Sequence, residues 1–183
     1  MKYKWPANKD FAFTIIDDTD NSTIENIKPI YDYLHSQGIF TTKTVWPFPS
    51  KDNFTGDSLM DDKYLSFVKD LNQKGSEIQL HNVGSGSFVR DEIIEGYELF
   101  RKKLGDYPTM HINHASNPDC IYWGYKRFGF VLRSLLKVLY GKKRTFYGDE
   151  EESEYFWGDL SKKHIKYIRN RVFFRNKHLK IRP

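Results

Sequence analysis

Two carboxylates stand side by side at Asp17 and Asp18, directly after an apolar run, and His81 and His114 follow later ones. Adjacent carboxylates repel unless positive charge sits beside them. A divalent cation answers that need, with one carboxylate as ligand and the other free to act as a base. Capping of the next helix is the simpler role for the pair, but Asn21 or Ser22 can already do that. Imidazole is a suitable ligand for zinc and similar metals. The Asn-Val-Gly-Ser-Gly-Ser stretch after His81 lets substrate or backbone come close. In His-Ile-Asn-His-Ala, the alternation of a strand puts His111 and Asn113 on one side if Met110 and Ile112 face helices. His114 then sits at the strand end, level with His81, and is the preferred second imidazole. A lone histidine is more often structural, and loop starts are polar in any fold. It is the gathering of acids, imidazoles, Asn82, Trp46 and Arg169 at several strand ends that points to a site.

The elements that would position these groups alternate strand and helix. Phe11 to Ile16 reads as a buried parallel strand that stops at the acids. Ser22-Thr-Ile-Glu25 matches a capping box, and Ile24, Ile27, Tyr31 and Leu34 follow at helical spacing, with Pro29 expected to kink or delay the helix. Ile39 to Val45, Glu77 to Leu80, Thr109 to Asn113 and Ile165 to Ile168 read as further strands. Between them, Asp61 and Asp62 are expected to open a helix that ends at Gly75, and Ser87 to cap one that ends at Gly105. A helical stretch is expected around Tyr125 to Leu139, and a short helix near Asp159. Short connections between strand and helix mean a parallel sheet covered by helices, and such folds collect function at the carboxyl ends of strands. Residues 1–183 are expected to form a single α/β domain.

Composition narrows the classes. Apolar residues make up 39 % and charged residues 29 %, as in a globular chain rather than a disordered one. Four Trp, twelve Tyr and fourteen Phe leave rings for either the core or a carbohydrate cleft; Trp46, Tyr122 and Trp123 are the ones considered for stacking on sugars. The lone Cys120 cannot form an internal disulfide. With no apolar leader and no apolar run of about 18 residues, the expected location is cytoplasmic, without a transmembrane segment. Residues 126–183 hold 16 of the 29 Lys and Arg but only 6 of the 24 acids. That basic stretch carries no nucleic-acid-binding module, so no nucleic acid is expected as partner. An anionic glycan, a sugar phosphate or a membrane surface would suit it.

Asp17-Asp18 after an apolar strand resembles the twin-Asp motif of the polysaccharide deacetylases, the NodB-like carbohydrate esterases. His81 resembles the first histidine of that family's His-x-x-x-His motif, at a similar distance from the acids. Residues 10–90 carry the likeness. The remainder, with Ile-Tyr-Trp-Gly at 121–124, resembles a divergent branch associated with surface polysaccharides such as O-antigen. Three departures stand out. Thr19 replaces the family's glycine, Ser85 replaces its second histidine, and no counterpart of the late motif occurs in 126–183.

The resemblance implies a parallel (β/α) barrel of the deacetylase type, distorted and incomplete, with about five strands placed here. It further implies a chain cut short at its C-terminus or an open sheet edge covered by a second copy. The activity implied is hydrolytic N-deacetylation of an acetylated amino sugar in O-antigen or capsule-like metabolism, from a carbohydrate or nucleotide-sugar substrate. Asp17 would be the general base, and Asp18, His81 and His114 would hold a divalent metal, zinc by preference. His111 is a candidate for the acid, which the motifs do not assign, with Trp46, Asn82, Asn113, Tyr122, Trp123 and Arg169 about the substrate. The alternative is a non-catalytic glycan-binding domain that keeps the fold without the chemistry.

Overall fold

Strand and helix alternate through the computed structural model, which describes residue 7 and residues 9–115, 117–125, 128–140 and 146–169. The order is β1 (Ile16–Asp17), α1 (Ile24–Ser36), β2 (Thr42–Val45), α2 (Asp62–Gln73), β3 (Glu77–His81), α3 (Arg90–Leu104), β4 (Met110–Ile112), α4 (Phe130–Tyr140), α5 (Gly158–His164) and β5 (Tyr167–Arg169). All five strands are parallel, and each lies beside its neighbour in sequence. The sheet curls into a half-barrel. Among the described residues, no helix is long and apolar enough to cross a membrane.

The helix starts show how side chains complete the backbone. Asp61 Oδ1 accepts the Tyr64 N–H at 2.8 Å, as expected of a cap. At α1 the capping box is one residue later than the sequence suggests: Asn26 Oδ1 takes the Thr23 N–H at 2.9 Å, and the Asp57 carboxylate takes that of Ile24. Pro29 lies within α1 and does not end it. At α3 the cap is not Ser87; the Glu92 carboxylate reaches back to the Val89 N–H at 3.0 Å. The first strand is also shorter than expected. Only Ile16 and Asp17 pair with β2, while Phe11 and Phe13 are 75 % and 76 % exposed, because β1 has a strand on one side only.

The two faces of the sheet differ in kind. Val45, Ile78 and Leu80 point into a core formed with Tyr64 and Val68 of α2 and Tyr97 and Phe100 of α3. By the alternation of strands, Thr42, Thr44, Glu77, Gln79 and His81 occupy the opposite, inward face. That face satisfies itself by hydrogen bonds. Thr42 Oγ1 and Gln79 Nε2 both donate to the Glu77 carboxylate at 2.8 Å, and Gln79 Oε1 accepts the N–H groups of Thr109 and Met110. At the open side, Arg169 of β5 reaches back to Asp18 just beyond β1, joining the two edges of the curl.

Helix α3 seats directly on the loop that follows β3. A Cβ on Gly96 would stand 2.5 Å from Val83 Cγ1 and 2.7 Å from its Cβ. Alanine is favoured over glycine in a helix by about 1 kcal/mol, but overpacking costs about 1–3 kcal/mol. Val83 is buried and branched at Cβ, so it has little room to give. Gly96→Ala is therefore expected to lower stability by about 1 kcal/mol, read as a lower urea midpoint at unchanged m value. A midpoint at or above wild type would show that the loop after β3 is free to shift.

Candidate functional site

His81 is the last residue of β3, and the chain turns immediately at Asn82, whose φ of 49° lies in the left-handed region that Asn tolerates better than most residues. Asn82 then ties three segments together. Its N–H donates to the Ile112 carbonyl, its Oδ1 accepts the His114 N–H at 2.6 Å, and its Nδ2 donates to Asp119 Oδ2 at 2.6 Å. Asn113 staples the same loop by exchanging two hydrogen bonds with the backbone of Ile121. Asn117 bridges it to the loop after β3, donating to the Gly84 carbonyl and accepting the Gly86 N–H. His81 and His114 are thereby held with ring centroids 5.1 Å apart, and both are buried. Trp46, fully buried, lies parallel to the His81 ring, and Phe54, 39 % exposed, sets its edge on His114 at 4.7 Å.

The carboxylate that meets these rings is Asp20. Its Oδ1 lies 3.2 Å from His81 Nε2 and 3.2 Å from His114 Nε2, and ligand atoms of all three residues fall within 4.8 Å of one another. Asp20 Oδ1 and His81 Nε2 are buried, yet neither has a partner aligned as in a hydrogen bond. Burial raises the Asp20 carboxyl, but contacts with His114 and His81 outweigh it and hold the group well below the usual carboxylate range. Ligands about 2.1 Å from a tetrahedral ion stand about 3.4 Å apart, close to the separations seen here. Two imidazoles and one carboxylate are also a donor set that zinc and iron sites use. The cluster can bind a metal ion.

No family model, curated protein or solved structure matches the chain.

Asp17 and Asp18 have other partners. Asp17 faces α1, accepting the Tyr31 hydroxyl at 2.9 Å and pairing with Lys43 Nζ at 2.9 Å. Asp18 faces the other way and pairs with Arg169. The positive charge that two adjacent acids need is thus supplied by Lys43 and Arg169, not by the ion for which Asp18 is expected to be a ligand. Lys43 is fully buried; burial pushes its ammonium down, and Asp17, Asp18 and Asp20 oppose the shift. Asp20 takes the ligand position because the chain stays extended past β1. Asp18 and Asp20 alternate to one side, while Asp17 and Thr19 alternate to the helix side, where Thr19 meets Tyr64. An acid two residues past Asp18, on the same face, was the available sequence signal.

Several other expected residues hold the site together rather than face a ligand. His111 is 1 % exposed, packed 4.5 Å from Trp157 and bonded through Nδ1 to Tyr97; burial, and then the charge of His81, push it down to about 3. It belongs to the core and is neutral near pH 7, which corrects its expected role as an acid. Asn82, Asn113 and Trp46 are buried supports for the histidines, not sugar contacts. Ser85 donates to Asp52 at 2.7 Å and fixes the loop. Trp123 packs on Phe146, and Tyr122 is 38 % exposed with positive φ. The rings that touch His81 and His114 from other elements are Trp46 and Phe54.

Asp119 gives the site a pH signature. It is 1 % exposed, and burial pushes its carboxyl from 3.8 up to about 7, against the hydrogen bond from Asn82. Below pH 4 it is protonated both folded and unfolded. Between about pH 4 and 7 the unfolded chain releases the proton while the fold retains it, so this group lowers stability progressively as pH rises. Asp119→Asn is expected to remove that component. Urea midpoints at pH 4.5, 6 and 7.5 should therefore decline less with pH in the variant than in wild type, and parallel profiles would mean that Asp119 is already ionised in the fold.

Proposed function

We propose that this protein is a metal-dependent N-deacetylase that hydrolyses the acetamido group of an amino sugar, with its metal held by Asp20, His81 and His114. The observation that carries the reading is the convergence of three ligand atoms, two of them buried without hydrogen-bond partners, at the carboxyl ends of β1, β3 and β4 of one parallel sheet. The likeness of the twin-Asp strand and of His81 to the polysaccharide deacetylases supports the reaction class, and zinc is the metal that fits the donor set and the resemblance together. A cation bound there would polarise an amide carbonyl and lower the pKa of water.

The chain's own groups divide the remaining work. Asp18 lies on the same face as the ligands. Arg169 holds one of its oxygens, and its buried Oδ1 has no hydrogen-bond partner. A carboxylate oriented through one oxygen and unpaired at the other is suited to accept a proton from an attacking water. Asp18 is therefore assigned as the base in place of Asp17, which is engaged by Lys43 and Tyr31. Arg169 holds Asp18 in its orientation. The partly exposed ring of Phe54, edge-on to His114, offers an apolar surface against the acetyl group or sugar face.

Elemental analysis of the purified protein is expected to give close to one metal per chain. Asp20→Ala, His81→Ala and His114→Ala should each weaken metal affinity by about a hundredfold or more, the upper range even for losing an outer partner. Asp18→Asn should retain the metal while acetate release from N-acetylated sugars falls by about 10²–10⁴-fold, and Asp17→Asn should fall less. Loss of metal from Asp18→Asn with retention in Asp20→Ala would overturn the ligand assignment. One bound metal without acetate release from any acetylated sugar would overturn the reaction.

A further inference from the structure

Helix α4 has one broad apolar face and a narrow polar side formed by Arg133, Ser134 and Lys137, and among the described residues the apolar face is largely uncovered. Phe130, Val131, Val138 and Leu139 are 82, 79, 82 and 64 % exposed, and Leu132 and Leu135 are 44 and 52 % exposed. Arg133 and Leu136 are half-buried, and the other residues of the helix from 130 to 139 are exposed. The apolar face of an amphipathic helix is ordinarily packed against a core, and one left exposed marks an interaction surface. The sequence around it adds the second observation. Between residues 126 and 144 there are seven Lys or Arg and no Asp or Glu, with Lys126 and Arg127 before the helix and Lys142, Lys143 and Arg144 after it.

We propose that α4 and its basic flanks form an interfacial anchor that lays the helix into the headgroup region of an anionic phospholipid bilayer. Both features of the segment then find partners: the exposed apolar side chains of α4 enter the acyl boundary, while the cations of the sequence on either side meet lipid phosphates. The helix cannot span. Its 11 residues extend about 16 Å at about 1.5 Å per residue, roughly half of the ~30 Å hydrocarbon core. A second copy of this chain is the weaker occupant, because it would bring the same cluster of positive charge against this one without a single acid in the segment to offset it. The inference stands on α4 alone and does not depend on the metal site.

Sedimentation of the full chain with phosphatidylcholine vesicles, with and without phosphatidylglycerol, tests it. The protein is expected to bind the anionic vesicles at least about tenfold more tightly than the neutral ones and to release from them as salt rises. Val131→Asp combined with Val138→Asp should abolish binding, and Lys142→Glu combined with Lys143→Glu should weaken it about tenfold or more. Both valines are largely exposed, so circular dichroism and the urea midpoint should remain as in wild type. Failure to bind anionic vesicles, equal binding to both kinds, or binding unaffected by the aspartates would overturn the proposal. So would a concentration-dependent dimer, seen by sedimentation without vesicles, that the aspartates dissociate.

Discussion

Asn82 sets the distance on which the site depends. His81 and His114 belong to neighbouring strands, and nothing in strand pairing alone brings residues beyond the strand ends to a fixed separation. A single side chain amide, held in a left-handed turn, accepts from the backbone of His114 and donates to Asp119. Asp119 is in turn held in place by the Trp157 indole, which donates to its carbonyl at 2.7 Å. The path from core aromatic to imidazole therefore passes through polar groups buried almost completely. Such a network fixes geometry closely because any misplacement leaves a buried donor or acceptor unmet.

Charge is arranged on the same principle of separation. Three acids occur within four positions, at Asp17, Asp18 and Asp20, and each has a different answer to its negative charge. Lys43 meets the first on the helix side, Arg169 meets the second across the curl, and two imidazoles meet the third. An extended backbone makes this possible by sending successive side chains to opposite sides. The cation demanded by adjacent carboxylates is thus partly internal, and the remaining unbalanced acid is the one beside the histidines.

Much of the architecture was legible because it follows from periodicity. Apolar runs ending in polar residues located the strands, and Gly75 and Gly105 marked the ends of α2 and α3. His81 and His114 were legible as strand-end imidazoles. Asp20 was not, because Asp18 and Asp20 share a face and nothing local in the sequence says which of the two lies level with the histidines. Lys43 was hidden by its place among threonines, where a polar strand gives no local sign of a buried ammonium. The supporting roles of Asn82, Asn113 and His111 depend on contacts between residues far apart in sequence, and no local pattern encodes those.

The ion pair between Asp18 and Arg169 joins residues 151 positions apart. Each step of the sheet pairs a strand with its predecessor, so the sheet can grow in chain order, with the longest separation at the last step from β4 to β5. Asp20, His81 and His114 all lie before residue 115, while Arg169 arrives only with the final strand. As the chain is synthesised from its N-terminus, the residues that gather the cluster precede the one that orients Asp18. The order of synthesis therefore separates two stages of maturation: an early one in which the ligands can assemble, and a late one in which the neighbouring carboxylate is drawn into position.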